Sequence, residues 1–277
     1  DWKPLIYCWR GGNRSGSMTT VFRAIGWKAS QLEGGYKAWR GHVVAQLGRL
    51  PQAFAFRVIC GPTGSGKTRI LQALAARGEQ VLDLETLASH KGSVLGVLPD
   101  QPQPSQKWFE TLLLRELQRF DPARPVFVEA ESRKIGRLHV PDALIGRIRG
   151  GECIRIDATL AARVAFLIGD YDYFLTMSDL LNERLAMLGS LHSAETMKRW
   201  RAMIAAADWS ALVRELLEQH YDPLYCRSQA RNFSGYGAPN DAPAAGGSAC
   251  LPTDDLSATG IAAIAARIIH SRTAQIA

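Results

Sequence analysis

Short apolar runs alternate with amphipathic stretches from the start of the chain. "PLIYC" (4–8) reads as a buried strand, and in "SMTTVFRAIGW" (17–27) Met18, Val21, Phe22 and Ile25 recur at helical spacing, with Gly26 as the stop. "ASQLEGGYKAWRGHV" (29–43) gives a short strand, a Gly-Gly turn and a helix, and "GRLPQA" (48–53) reads as a linker. "FAFRVIC" (54–60) is an apolar strand that runs straight into "GPTGSGKT" (61–68). Ile70, Leu71, Leu74 and Ala75 then mark a helix ending at Gly78, and "QVLDLE" (80–85) supplies the next strand. "LPDQPQPSQ" (98–106) is a loop, "KWFETLLLRELQRF" (107–120) a helix striped by Trp108, Leu112 and Leu113, and "PVFVEAES" (125–132) a buried strand ending in carboxylates. This alternation predicts an α/β fold with a parallel sheet.

Beyond residue 150 the pattern predicts mostly helix. "SDLLNERLAML", "SAETMKRWRAMIAAA" and "DWSALVRELLEQHY" each open on an N-cap residue, Ser178, Ser193 and Asp208. Met187, Met197 and Met203 read as packing residues. Residues 233–250 form a Gly/Pro/Ala-rich loop, expected to be mobile, and a final helix is expected from Ser257. The boundaries that follow are residues 1–48, 49–232 and 233–277.

Composition narrows the function classes. A chain of 277 residues with 47% hydrophobic content can bury a sizeable core, and its net charge of +7 favours a polyanionic partner. The basic residues fall in clusters: Arg10/Arg14, Arg133/Lys134/Arg137, Arg147/Arg149/Arg155, Lys198/Arg199/Arg201 and Arg227/Arg231. The cysteines Cys8, Cys60, Cys153, Cys226 and Cys250 are odd in number and widely spaced, which argues against a disulfide framework or a zinc site. Cys60 reads as a packing residue. No apolar stretch approaches the roughly 18 residues of a membrane span, so no membrane partner and a cytoplasmic location are expected. The chain opens on Asp1 with a strand almost at once, which suggests that the first part of its first domain is absent.

Two Gly-rich loops carry the candidate chemistry. In the second, Gly61, Gly64 and Gly66 allow backbone angles that aim successive N–H groups, with those of Thr63 and Ser65, at one phosphate. Lys67 adds a mobile cation and the Thr68 hydroxyl a ligand for Mg²⁺. The strand, GxxxxGK[ST], helix, strand order is the context that a phosphate-binding loop requires. Glu129, at the end of "VFVE", is the candidate partner of Thr68 in holding Mg²⁺, and Glu131 projects to the same side; ion pairing of Glu129 with Arg133 or Lys134 is the structural alternative.

In "CWRGGNRS" (8–15) Cys8 is followed by five residues and then Arg14. The turned-in amides of Arg10, Gly11, Gly12, Asn13, Arg14 and Ser15, the two guanidinium groups and the next helix dipole would hold an anion above the sulfur and stabilise a thiolate.

The Cys8 loop followed by "LEGGYKAWRG" (32–41) resembles the C-terminal half of a rhodanese domain, with a loop one residue wider than the common sulfurtransferase form. This half-domain joined to a phosphate-loop domain, with "DLETLASHKGSVLG" (83–96), "EAESRKIG" (129–136) and "YDPLY" (221–225), resembles the tRNA 2-selenouridine synthase family. The resemblance implies a rhodanese-like half-domain followed by a P-loop NTPase-like parallel-sheet domain with a helical C-terminal part. It implies an enzyme that converts wobble 2-thiouridine of tRNA to 2-selenouridine through an S-geranyl intermediate, with geranyl diphosphate and selenophosphate as co-substrates. The phosphate loop would hold the diphosphate, and Cys8 would carry selenium as a perselenide or position selenophosphate. The basic clusters would track the tRNA backbone, with Trp108 and Trp200 as stacking surfaces. Asp83, His90, Arg133, Glu129 and Glu131 are the candidate organisers of Mg²⁺ or substrate.

This chain departs from the family pattern at Ala130, where an acidic residue is expected, and at Lys91, where arginine is usual. Two competing readings are a P-loop kinase or NTPase joined to a CX5R phosphatase-like module, and a non-catalytic tRNA-binding module.

Overall fold

A computed structural model of the chain describes residues 2–225, 227 and 249–273. The first segment comprises β1 (Leu5–Ile6), α1 (Asn13–Ala24), β2 (Ser30–Gln31) and α2 (Gly35–Arg49), with β1 and β2 paired in parallel. A single 3₁₀ turn, Leu50–Ala53, takes the place of the expected linker.

Next come β3 (Phe56–Cys60), α3 (Lys67–Ala75), β4 (Gln80–Leu82), α4 (Leu84–Ala88), α5 (Gln106–Leu117) and β5 (Val126–Glu129). A small antiparallel ladder, β6 (Lys134–Ile135) with β7 (Leu138–His139), precedes α6 (Asp142–Arg149) and β8 (Glu152–Ala158). The helical part is α7 (Leu160–Asp170), α8 (Tyr173–Thr176), α9 (Ser178–Ala186), α10 (Ala194–Ala205) and α11 (Trp209–Leu216), the last running into a π-helical turn, Leu217–Tyr221. The chain then supplies β9 (Ala249–Thr253) and α12 (Ala258–Thr273).

The main sheet has five strands in the order β4-β5-β3-β8-β9, all paired in parallel. Its central strands are buried on both sides, as helices covering each face require. On one face Val58, Cys60, Val126, Val128 and Cys153 pack on α5 and α6, and Val43 and Leu47 of α2 enter the same core. On the other, Ile59, Phe127, Ile154 and Ile156 pack on α3 and α12. The α/β expectation therefore holds, with helices on both faces of a parallel sheet.

Several local expectations are corrected. β8 lies at the heart of the sheet in a region read as helical: Arg155 and Asp157 interrupt the apolar run of "ECIRIDA", so it lacks the signature of a buried strand. Ala249 and Cys250, read as loop, begin the edge strand β9, while residues 233–248 lie outside the described residues. Ser178 is the first residue of α9 rather than its cap, whereas Ser193 and Asp208 cap α10 and α11 through bonds from the N–H groups of Thr196 and Ala211. Met18, Val21 and Ile25 are exposed, so the apolar spacing of α1 does not mark a buried stripe. Met187 is also exposed, and Met197 packs in the helical core.

Trp200 offers no stacking surface. It is fully buried and its indole N–H donates to Glu215, whereas Trp108 is exposed. The structure also joins Cys60 to Cys153 by a disulfide between β3 and β8, which the sequence spacing of 93 residues conceals. Among the described residues Cys8 and Cys250 are the free thiols. No described helix is long and apolar enough to cross a membrane.

Candidate functional site

The phosphate loop fills the turn between β3 and α3. Gly61, Gly64 and Gly66 take positive φ, and a Cβ at Gly61 would meet the Ser65 hydroxyl at 2.5 Å while one at Gly64 would strike Leu167 at 2.7 Å. Glycine is therefore required there by conformation and by space. The buried Ser65 hydroxyl has no hydrogen-bond partner. Lys67 folds back on its own loop, its Nζ donating to the Gly61 carbonyl at 2.9 Å. Burial lowers the Lys67 pKa, opposed by Glu85, Glu131 and Glu129.

Those three carboxylates make one cluster. The Thr68 hydroxyl donates to Glu85 Oε2 at 2.6 Å, and the Glu85 N–H donates to Glu129 Oε1 at 2.9 Å. Glu129 Oε2 is buried with no hydrogen-bond partner among the described residues, so Glu129 stands behind Glu85 rather than in an ion pair with Arg133, which pairs with Asp142. Burial raises the pKa of all three, Glu131 to about 8, and the charge of Glu85 adds to the rise of Glu129 and Glu131. The sequence reading did not single out Glu85, because "DLETL" carries no motif that separates a ligand from a first-turn glutamate.

Asp83 is occupied elsewhere, both its oxygens holding Thr86 as the cap of α4. His90 is buried on the cleft, its Nδ1 accepting the Gly92 N–H, which shapes the turn of "SHKGS". Lys91 pairs with Asp170 at 2.7 Å and lies over the ring of Tyr171 at 4.2 Å.

The "YDPLY" segment braces the loop from the far side. The buried Arg163 of α7 donates to the Thr63 carbonyl at 2.8 Å and makes a two-bond pair with Asp222, while the Gly61 N–H donates to the Tyr225 hydroxyl at 2.8 Å. The loop from Thr63 to Thr68, Glu85, Glu131 and the tyrosines Tyr171, Tyr221 and Tyr225 line one cleft of about 740 Å³.

Cys8 stands apart, and no residue of its loop lines that cleft. The Cys8 Sγ lies 3.2 Å from the Ser15 hydroxyl, and the contact with Ser15, together with its backbone N–H, lowers the thiol to about 6. Gln31 secures the loop from β2, its Nε2 donating to Gly11 O at 2.5 Å and to Ser15 Oγ at 2.9 Å. The N–H groups of Tyr36 and Lys37, in the first turn of α2, donate to the carbonyls of Cys8 and Trp9. Gly11 and Gly35 sit so close that a Cβ on Gly35 would lie 2.2 Å from Cys8 O. Gly12 caps α1, which begins at Asn13, and Arg10 and Arg14 are exposed.

Of the sequence-predicted residues, those of the Cys8 loop form one thiolate cradle, and Thr63 to Thr68, His90 and Glu131 line one phosphate cleft with Glu129 buried behind it, while Asp83 and Arg133 belong to neither.

Comparison with known proteins agrees with this composite. A family model described as the tRNA 2-selenouridine synthase AAA domain matches residues 54–204. The chain is 38% identical over 172 residues to the tRNA 2-selenouridine synthase of Nitrosomonas europaea, covering 61% of this chain and 44% of that protein. It is 32% identical over 248 residues to that of Alcanivorax borkumensis (79% of this chain, 67% of that protein), and 31% identical over 269 residues to that of Bdellovibrio bacteriovorus (83% and 70%). The match therefore spans less than half of the Nitrosomonas protein. A gluconokinase from Sinorhizobium meliloti aligns with 80% of this chain and 97% of its own at 14% identity, but a TM-score of 0.26 carries no argument about the fold. With the family model covering more than half of its residues, and relatives above 30% identity matched over two thirds of their length, the chain belongs to the tRNA 2-selenouridine synthase family.

Proposed function

We propose that this chain replaces the sulfur of wobble 2-thiouridine in tRNA by selenium in two steps, one at each loop. In the first, the thiocarbonyl sulfur attacks the allylic carbon of geranyl diphosphate, the carbon–oxygen bond breaks, and pyrophosphate leaves into the phosphate loop. The amides of residues 63–68 and the Lys67 ammonium stabilise the charge that develops on that leaving group. In the second, the selenium of selenophosphate attacks the carbon that bears the geranylthio group, the carbon–sulfur bond breaks and geranylthiolate leaves, and water then cleaves the phosphorus–selenium bond to release phosphate, with Cys8 and the cradle of Arg10 to Ser15 positioning selenophosphate. The exposed basic residues Arg10, Arg14, Arg133, Lys134, Arg137, Lys198 and Arg201 would face the tRNA phosphates.

A magnesium ion fits the cleft. The unpartnered oxygen of Glu129 and the raised pKa values of Glu85 and Glu131 mark a cluster short of positive charge. Among the described residues no group of three or more His, Cys, Asp or Glu is arranged to enclose a metal. Thr68 and Glu85 would hold the ion, with Glu129 and Glu131 as charge support. Mg²⁺ commonly takes one or two protein ligands and completes its shell with phosphate oxygens and water. When bound it supplies charge neutralisation for the diphosphate.

The observation that carries this reading is the pairing, in one chain of this family, of a low-pKa thiol cradle with a separate phosphate cleft. A kinase-like reading shares the phosphate loop and differs in its ligand. Incubation of 2-thiouridine tRNA with the chain, Mg²⁺ and geranyl diphosphate should add one C10 group per target nucleoside by mass spectrometry, without any ATP. Consumption of ATP with an unaltered nucleoside would overturn the proposal in favour of the kinase.

A further inference from the structure

A second cavity opens beside the phosphate cleft. It has a volume of about 70 Å³ and shares Thr63, Ser93, Leu167, Tyr171 and Tyr221 with the cleft wall. Beyond that shared mouth its lining is aliphatic and aromatic, from Leu95 and Phe174 through Leu181 to Leu212, Val213 and Leu216, with the indole of Trp209 among them. Leu167 is the partition: one side of it presses on Gly64 of the phosphate loop, and it lines both spaces. The π-helical turn contributes Leu217 and Tyr221 to the wall, and such turns recur at functional sites because they displace side chains from helical register.

The polar groups of this pair of spaces are segregated. A ligand anchored by phosphate on the loop would pass Leu167 and Tyr171 into a region whose side chains offer no acceptor and, as donor, only the indole N–H of Trp209. A nucleoside base would lose its hydrogen bonds there, whereas a hydrocarbon gains from leaving water. Size sets the extent: about 70 Å³ is roughly half the ~150 Å³ of an apolar cavity that holds benzene. It takes the branched end of a tail, while the first carbons remain in the larger cleft.

We propose that the apolar cavity between α7, α8, α9 and α11 binds the terminal isoprene unit of the allylic diphosphate, and that Phe174 and Leu181 in its wall set the accepted chain length. This rests on the phosphate loop holding the diphosphate, as proposed above. A C10 tail is then expected to fill the cavity, a C5 tail to leave it empty and a C15 tail to exceed it.

Calorimetric titration of the full chain with Mg²⁺ and, in turn, inorganic pyrophosphate, dimethylallyl, geranyl and farnesyl diphosphates tests this. Three to four buried carbons at roughly fourfold each give the C10 ligand an advantage over pyrophosphate on the order of 100-fold. Val213→Trp, at a half-buried position, fills the cavity and should reduce C10 to the affinity of C5 with pyrophosphate unchanged. Phe174→Ala deepens it and should bring C15 at least level with C10. Equal affinities of the wild type for pyrophosphate and C10, or a C10 advantage that survives in a folded Val213→Trp protein, would overturn the proposal. If one variant fails to fold, the other alone decides it. Weak pyrophosphate binding alongside tight, Val213-sensitive C10 binding would sink the diphosphate reading and leave the tail cavity standing; loss of all four ligands would sink both.

Discussion

The proposed selenium step turns on Cys8, and the chemistry of that thiol is set locally. Ser15 and the amides of the loop favour the thiolate, holding the thiol at about 6 against an ordinary 9.0. A depressed acid is ionised above its folded pKa, so the thiolate is retained at neutral pH and is lost only as pH falls through about 6. The rate of Cys8 alkylation by iodoacetamide is therefore expected to rise with a midpoint near 6, and Ser15→Ala to move that midpoint toward the ~8.5 of a free cysteine. An unchanged midpoint in Ser15→Ala would remove the serine from this role. Cys8, its glycines and Ser15 were legible in the sequence because they lie within one turn of chain. Gln31 was not, since its bonds to Gly11 and Ser15 cross 20 and 16 residues and nothing in "ASQLEGG" distinguishes it.

At the scale of elements, the phosphate loop is shaped by β3 and α3 but braced by the far end of the chain. The Arg163–Asp222 pair and Tyr225 hold Thr63 and Gly61 from behind, which gives the "YDPLY" segment a physical task. Breaking a fully buried pair costs about 3–5 kcal/mol, and Asp222 is 31% exposed, so Asp222→Ala should cost about 2 kcal/mol in denaturant unfolding and weaken pyrophosphate binding about tenfold. Stability lost without any change in binding would show that the brace supports the fold and not the loop. The loop itself was legible from spacing, and so was β5, whose uninterrupted "VFV" runs into Glu129. Glu85 and β8 were not. The first became visible only when β4 and β5 were seen to lie side by side, and the second because its charged positions disguise a strand at the centre of a sheet.

The whole molecule links two chemistries through α2. Its first turn clasps the Cys8 loop, Arg40 pairs with Glu110 of α5, and Val43 and Leu47 enter the core beneath β3 and β5. The cradle is thus fixed to the body that carries the phosphate cleft, yet contributes no residue to it. On the proposed route the modified nucleoside moves from one to the other, and the two steps should be separable by mutation. The decisive measurement is mass spectrometry of nucleosides from 2-thiouridine tRNA incubated with geranyl diphosphate, Mg²⁺ and selenophosphate, comparing the wild type with Lys67→Ala and Cys8→Ala. Lys67→Ala is expected to slow formation of the geranyl adduct about 100-fold, and Cys8→Ala to accumulate that adduct without selenouridine. Selenouridine formed at the wild-type rate by either variant would contradict the division of labour between the two loops.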